Sequence, residues 1–170
     1  MSTPSNSNVE KSGFREAMCR LSSAVCVVTS DGPAGRLGFT ASAVCSVSDD
    51  PPTLLVCMNR MSQQHVPLRE NGVFSVNILN GEQVDVSALF AGVGGLSTAE
   101  RFERVAWATL VTGSPVISDC VASCDCEISH IHEFSTHSVI FGNVVALRLS
   151  EPCLPSLSYF ARKYHSLEAH

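Results

Sequence analysis

Short apolar runs recur along this chain, and each is cut off by a turn signal before it reaches the length of a buried helix. "AVCVVTSDGPAGRLGFTASAVCSVSDDPPTLLVCMNR" reads as a strand, a turn carrying Asp-Gly-Pro and Ala-Gly, a second strand, a Pro-Pro corner and a third strand. That order is an antiparallel meander. "VFSVNIL" supplies a fourth strand, "VASCDCEISHIHEFSTHSVIFGNVVALRLS" alternates through two more around Phe134 to His137, and "LSYFARKYHSL" closes the chain. Many short strands without a parallel-sheet crossover pattern predict a mostly β, antiparallel barrel.

Short helices are predicted between the strands. Phe14, Met18 and Leu21 fall at helical spacing, "HVPLRENG" ends at Gly72, and "EQVDVSALFAG" is stopped by Gly92. "GLSTAERFERVAWAT" opens on Ser-Thr-Ala-Glu, a helix start, and carries one Phe to pack inward. Residues 1–12 are polar and predict a flexible tail, leaving 13–170 as one domain; no repeat or low-complexity linker divides it. At 170 residues and 45% hydrophobic content such a domain buries a core without disulfides.

Charge excludes some classes of partner. A net charge of −5 with eleven Lys and Arg leaves no basic stripe for nucleic acid. No apolar run is long enough to span a membrane, and the start lacks a signal-peptide apolar stretch, so a cytoplasmic protein is expected. The eight cysteines sit in apolar contexts such as "AVCVVT", "AVCSV" and "LLVCM" and are expected to act as small core hydrophobes. On a regular strand Cys120, Cys124, Cys126, His130 and His132 share a parity, which raises a metal site; no Gly or Pro gathers them, so core packing is preferred and no metal is expected. "GVGG" at Gly92 to Gly95 does not follow a strand, so a dinucleotide-binding crossover fold is disfavoured.

The stretch "GFTASAVCSVS" fits neither a core strand nor a linker. Its side chains are small, several carry hydroxyls, and it reads as a wall against which something lies. Together with "FREAMCRLSSAV", "GVFSVNIL", "LFAG", "ERF", "STH" and "YFARKYH", in order from about Gly13 to Leu167, it resembles the short-chain flavin reductases of the split-barrel flavin-binding family. These are the reductase partners of two-component flavin monooxygenases, such as the 4-hydroxyphenylacetate and pyrimidine-degradation systems.

The resemblance implies an antiparallel six-stranded split β-barrel with short flanking helices, assembled as a homodimer. It implies hydride transfer from NADH or NADPH to FMN or FAD, with diffusible reduced flavin passed to a separate oxygenase. The isoalloxazine would lie against Phe39, Thr40, Ala41, Ser42, Ala43, Cys45, Ser46, Val47 and Ser48, where small residues let the ring approach backbone N–H groups. Phosphate would be met by Asn59, Arg60 and Ser62, with Arg36 a second cationic candidate; each Arg is otherwise a solvated loop charge. His137, after Ser135 and Thr136 where the family commonly has Gly-Thr-His, is expected to contact the nicotinamide or a phosphate. Tyr159, Arg162 and His165 would line the cleft from the C-terminal end. The scarcity of cations favours NADH over NADPH. Three readings compete: a flavin-dependent cobalt-corrin reductase on the same fold, a flavin-binding or redox-sensing protein without turnover, and a zinc module.

Overall fold

The computed structural model describes residues 9–168. Residues 1–8, most of the expected tail, lie outside the described residues, and the first helix, α1 (Lys11–Met18), begins within its last two positions. The strands are β1 (Ser23–Ala24), β2 (Cys26–Ser30), β3 (Leu37–Ala41), β4 (Val44–Asp49), β5 (Pro52–Asn59), β6 (Val73–Ile78), β7 (Trp107–Thr109), β8 (Pro115–Ile117), β9 (Ala122–Phe134), β10 (His137–Leu149), β11 (Ser156–Phe160) and β12 (Lys163–Leu167). Three further helices are α2 (His65–Asn71), α3 (Val84–Phe90) and α4 (Thr98–Glu103).

The main sheet is antiparallel in the order β3-β2-β6-β9-β10-β5-β4. It has seven ladder members where six were expected, and the difference lies at one place. The second strand read from the sequence bends at Ser42 and Ala43, so its first half, β3, pairs with β2 while its second half, β4, pairs with β5. Those two halves are the opposite edges of the sheet. The chain thus crosses the open seam of a split barrel at two small residues, and β3 with β4 is the sixth strand.

Core placement follows from the strand period of two. Along β5 the buried positions are Leu54, Val56 and Met58; they meet Val28, Leu68, Phe74, Val76 and Ile140 inside the curl of the sheet. Burying a side chain such as Phe74 contributes about 1.5–3 kcal/mol. All five residues of β2 are buried because both its faces are covered: Val28 faces the inner cluster, while Val27 faces a second one formed with Leu79, Phe90, Phe102, Ile117 and Leu157. Gly38 on β3 makes that second packing possible, since a Cβ there would stand 2.7 Å from the Phe90 ring and 3.2 Å from that of Phe102.

The helix signals behave as read. Gly72 ends α2 at φ +70°, and Ser97 with Glu100 forms a complete capping box at α4. α1 differs, because it buries no residue and leaves Phe14 56% and Met18 45% exposed.

The cysteines need correcting in part. Cys26, Cys120 and Cys126 are buried, and burial pushes the Cys26 and Cys120 thiols up to about 12. Cys45 and Cys153 are exposed instead of core residues. Cys45 falls outside because β4 is a sheet edge with one open face, a fact of topology that its apolar neighbours do not reveal.

Candidate functional site

Where β3 gives way to β4, the chain forms one wall of a cleft of about 480 Å³. Phe39, Thr40, Ala41, Ser42 and Ala43 make that wall. Opposite it stand Cys57, Met58 and Asn59 at the end of β5, followed by Ser62, Gln63 and Gln64 of the loop leading into α2. Phe90, Ala91 and Gly92 at the end of α3, with Arg101 of α4, complete the lining. Four separate segments are drawn together because the barrel opens at this seam and α3 packs on β3 beside it.

The seam leaves backbone groups free. Ala43 accepts from the Cys57 N–H at 3.0 Å, but among the described residues the N–H groups of Ser42 and Ala43 have no protein acceptor. Two adjacent donors behind small side chains suit the polar edge of a flat ring that must reach the backbone. Gln64 adds an acceptor: its Oε1 is sheltered from solvent and has no hydrogen-bond partner among the described residues. The Thr40 hydroxyl is already engaged, donating to the Ser87 carbonyl at 2.6 Å. Of the four hydroxyls read from the sequence, Ser42 alone borders the cleft without such an engagement, and Ser46 and Ser48 are not part of the lining.

A second cavity, of about 180 Å³, also borders Thr40, Ala41 and Ser42. Val25, Ser87, Tyr159 and Tyr164 line the rest of it. The two tyrosine rings meet edge to face at 5.2 Å, and the Tyr164 hydroxyl lies 3.0 Å from Ser87 Oγ.

Phe39 to Ala43, Asn59 and Ser62 come together at the cleft, and Tyr159 lies behind its wall. Cys45, Ser46, Val47 and Ser48 lie on the exposed edge strand β4 and border neither cavity. Arg36 is turned away: its guanidinium pairs with Asp31 at 2.9 Å and lies 4.3 Å from the Trp107 ring centroid. Arg60 is bound to Glu133 at 2.9 Å, and Arg162 to Glu16 at 2.9 Å. His165 is exposed on β12, 6.0 Å from the Phe160 ring. His137 opens β10 directly across from the cleft residue Asn59 but is not itself part of the lining, and its Nδ1 lies 2.8 Å from its neighbour Thr136 Oγ1.

Arg101 was missed as a site residue. Among the described residues it is the cation that borders the cleft; its Nε donates to the Leu96 carbonyl at 3.0 Å, which leaves the other guanidinium nitrogens for a ligand. The signal was present as "ERF", one position before the Phe102 that anchors α4 in the core.

The shared parity of the Cys and His cluster also fails. Ser129 is an extra residue in β9, since Phe141 pairs with His130 and Gly142 with Ile128. This bulge reverses the alternation, leaving His130 and His132 exposed while Cys126 stays buried.

Fold and site together define a class: a split β-barrel whose seam holds a cofactor-sized cleft walled by small residues and flanked by one arginine. Residues 18–168 match the family described as flavin reductase like domain. A relative from Pantoea ananatis, FMN reductase (NADH) RutF, is 47% identical over 159 residues, which cover 94% of this chain and 82% of the relative. The solved structure of flavin reductase PheA2 in its native state superimposes with a TM-score of 0.85 at 28% identity, covering 95% of this chain and all of that one. That of BorF, the flavin reductase component of a bacterial two-component tryptophan halogenase, gives 0.87 at 26% identity with 95% of this chain covered. The chain belongs to the flavin reductase-like family.

Proposed function

We propose that this protein is an NADH-dependent flavin reductase that takes FMN at the Ser42–Ala43 seam and releases it reduced to a separate oxygenase. The observation that carries the reading is the pair of backbone N–H groups at Ser42 and Ala43, without a protein acceptor among the described residues and set in a wall small enough for a ring to reach them. A flavin held there would supply two-electron chemistry, taking a hydride from the nicotinamide and leaving as the reduced carrier.

The chain's own residues serve to bind and orient. Ala41 and Ala43 keep the wall low, Gln64 offers an acceptor to a ligand N–H, and Arg101 faces the cleft with free guanidinium nitrogens suited to a phosphate. His137, paired across from the cleft residue Asn59, would meet the second ring or its phosphates. No covalent nucleophile is needed, since holding two rings face to face lowers the barrier through proximity. The names of the relatives favour FMN and NADH over a corrin acceptor.

A homodimer belongs to the same proposal. Phe14, Met18 and Leu21 around α1, and Val145, Leu147 and Leu149 along β10, are 40–62% exposed, apolar side chains that a second subunit would cover. A cytoplasmic location is proposed with it. The eight free cysteines suit a reducing compartment, and among the described residues no helix is long and apolar enough to cross a membrane. Purified protein mixed with FMN and NADH tests the activity: NADH oxidation that requires both flavin and protein supports it, and oxidation no faster than without protein refutes it.

A further inference from the structure

His65 takes no part in the cleft lining, yet it is buried at 4% exposure directly behind the loop that does. Its Nε2 lies 2.9 Å from the Oγ of Ser138, which is fully buried on β10 next to His137. The backbone of the same residue also closes the loop, because the His65 N–H donates to the Ser62 carbonyl at 3.0 Å. Within the loop the Ser62 N–H donates to the Asn59 carbonyl at 3.0 Å, and the Gln64 N–H to Ser62 Oγ at 3.3 Å. These are local bonds that fix the shape of the loop. The His65–Ser138 contact is different in kind, since it fastens that shape to a strand 73 residues away in sequence.

We infer that His65 is a positioning residue: its buried bond to Ser138 holds the segment from Asn59 to Gln64 in its ligand-binding conformation and in register with His137. The inference rests on the cleft being the flavin site. Ser138 pairs directly with Met58 on β5 and with Glu133 on β9, so the tether reaches the strand end from which the loop departs. With Asn59 opposite His137 on the same pair of strands, one contact positions both the flavin-facing loop and His137.

The tether is sensitive to acid. Burial holds the His65 ring below its ordinary value of 6.5; Arg69 on α2 and Arg60 in the loop push the same way, and Glu133 on β9 opposes them. The unfolded chain therefore binds the proton more readily than the native one. Stability from the neutral ring is complete above 6.5 and is lost as pH falls from there through the lower native value. A charged ring must be buried beside two arginines, and the loop loosens first because it is the part the ring supports.

The test uses three variants of the full chain, each checked for folding by thermal melting and circular dichroism. His65→Leu and Ser138→Ala remove the bond and should raise the FMN dissociation constant roughly five- to thirtyfold. His65→Gln keeps an uncharged hydrogen-bonding group near the Nε2 position and should restore affinity to within about threefold of wild type. Across about pH 8 to about pH 5 the wild type should lose affinity relative to His65→Gln, a ratio in which the ionisation of FMN itself cancels. Amide hydrogen exchange at Ser62, Gln64 and His65, measured without ligand, should accelerate in the two disrupting variants.

A folded His65→Leu protein with wild-type FMN affinity and wild-type exchange overturns the inference. Should that variant not fold, Ser138→Ala decides by the same two measurements. A wild-type protein without FMN affinity would instead overturn the flavin reading, and loop exchange would still decide the tether.

Discussion

Arg101→Gln is the substitution whose effect the site geometry determines most closely. The three arginines expected at the site are already paired: Arg36 with Asp31, Arg60 with Glu133 and Arg162 with Glu16. Arg101 instead makes one bond through Nε to the Leu96 carbonyl, and it borders the cleft. A hydrogen bond to a charged group contributes about 1.5–3 kcal/mol. The side chain is only half-buried, so the lower half of that range applies, about 1.5–2 kcal/mol, or roughly ten- to thirtyfold in affinity. FMN and riboflavin titrations monitored by flavin fluorescence separate the contributions. Arg101→Gln should weaken FMN by that factor and leave riboflavin within about twofold, because riboflavin has no phosphate to lose. Arg36→Ala is the control: it removes a cation–π contact of about 0.5–1 kcal/mol from the Trp107 side and should leave both affinities unchanged. Equal weakening of FMN and riboflavin by Arg101→Gln would show that the residue shapes the cleft without meeting phosphate. An FMN affinity that responds to Arg36 and not to Arg101 would refute the assignment.

Ala43→Phe should abolish measurable FMN binding while the melting temperature stays within a few degrees, since the side chain is exposed and only the approach of a ring is blocked; unchanged FMN affinity would remove the wall from the site. His137→Ala should lower kcat/KM for NADH roughly five- to a hundredfold with flavin affinity held within about twofold, as expected for a group that meets one of two ligands; untouched NADH kinetics would return it to the role of a turn residue. Gly38→Ala should destabilise the fold by about 1–3 kcal/mol in denaturant unfolding, because its Cβ would stand 2.7 Å from the Phe90 ring; a neutral result would mean that α3 shifts freely on β3.

What could be read in advance was local. The capping box at Ser97, the stop at Gly72 and the turns between strands depend on neighbours a few residues apart, and the sequence contains those neighbours. The break at Ser42–Ala43 depends on which strands receive the two halves, a pairing of β3 with β2 and β4 with β5 that no window of residues displays. For the same reason Cys45 to Ser48 resembled a continuation of the wall, although the seam turns them out along the opposite edge. Arginines were the hardest to rank. Arg36 and Arg60 adjoin the motifs in sequence, but their carboxylate partners and the Trp107 ring claim them, whereas Arg101 reaches the cleft through the packing of α4. The bulge at Ser129 likewise could not be seen from alternation alone, because one extra residue leaves both flanking patterns intact.

Hydride transfer from NADH to FMN in this cleft is the step on which the proposed function stands. The direct measurement is anaerobic: NADH is added to the purified protein with FMN, and bleaching of the flavin absorbance is followed beside the same mixture containing Ala43→Phe. Rapid bleaching is expected with wild type, and a rate near that of protein-free solution with the variant. Equal rates in the two mixtures, or no bleaching above background in either, would contradict it.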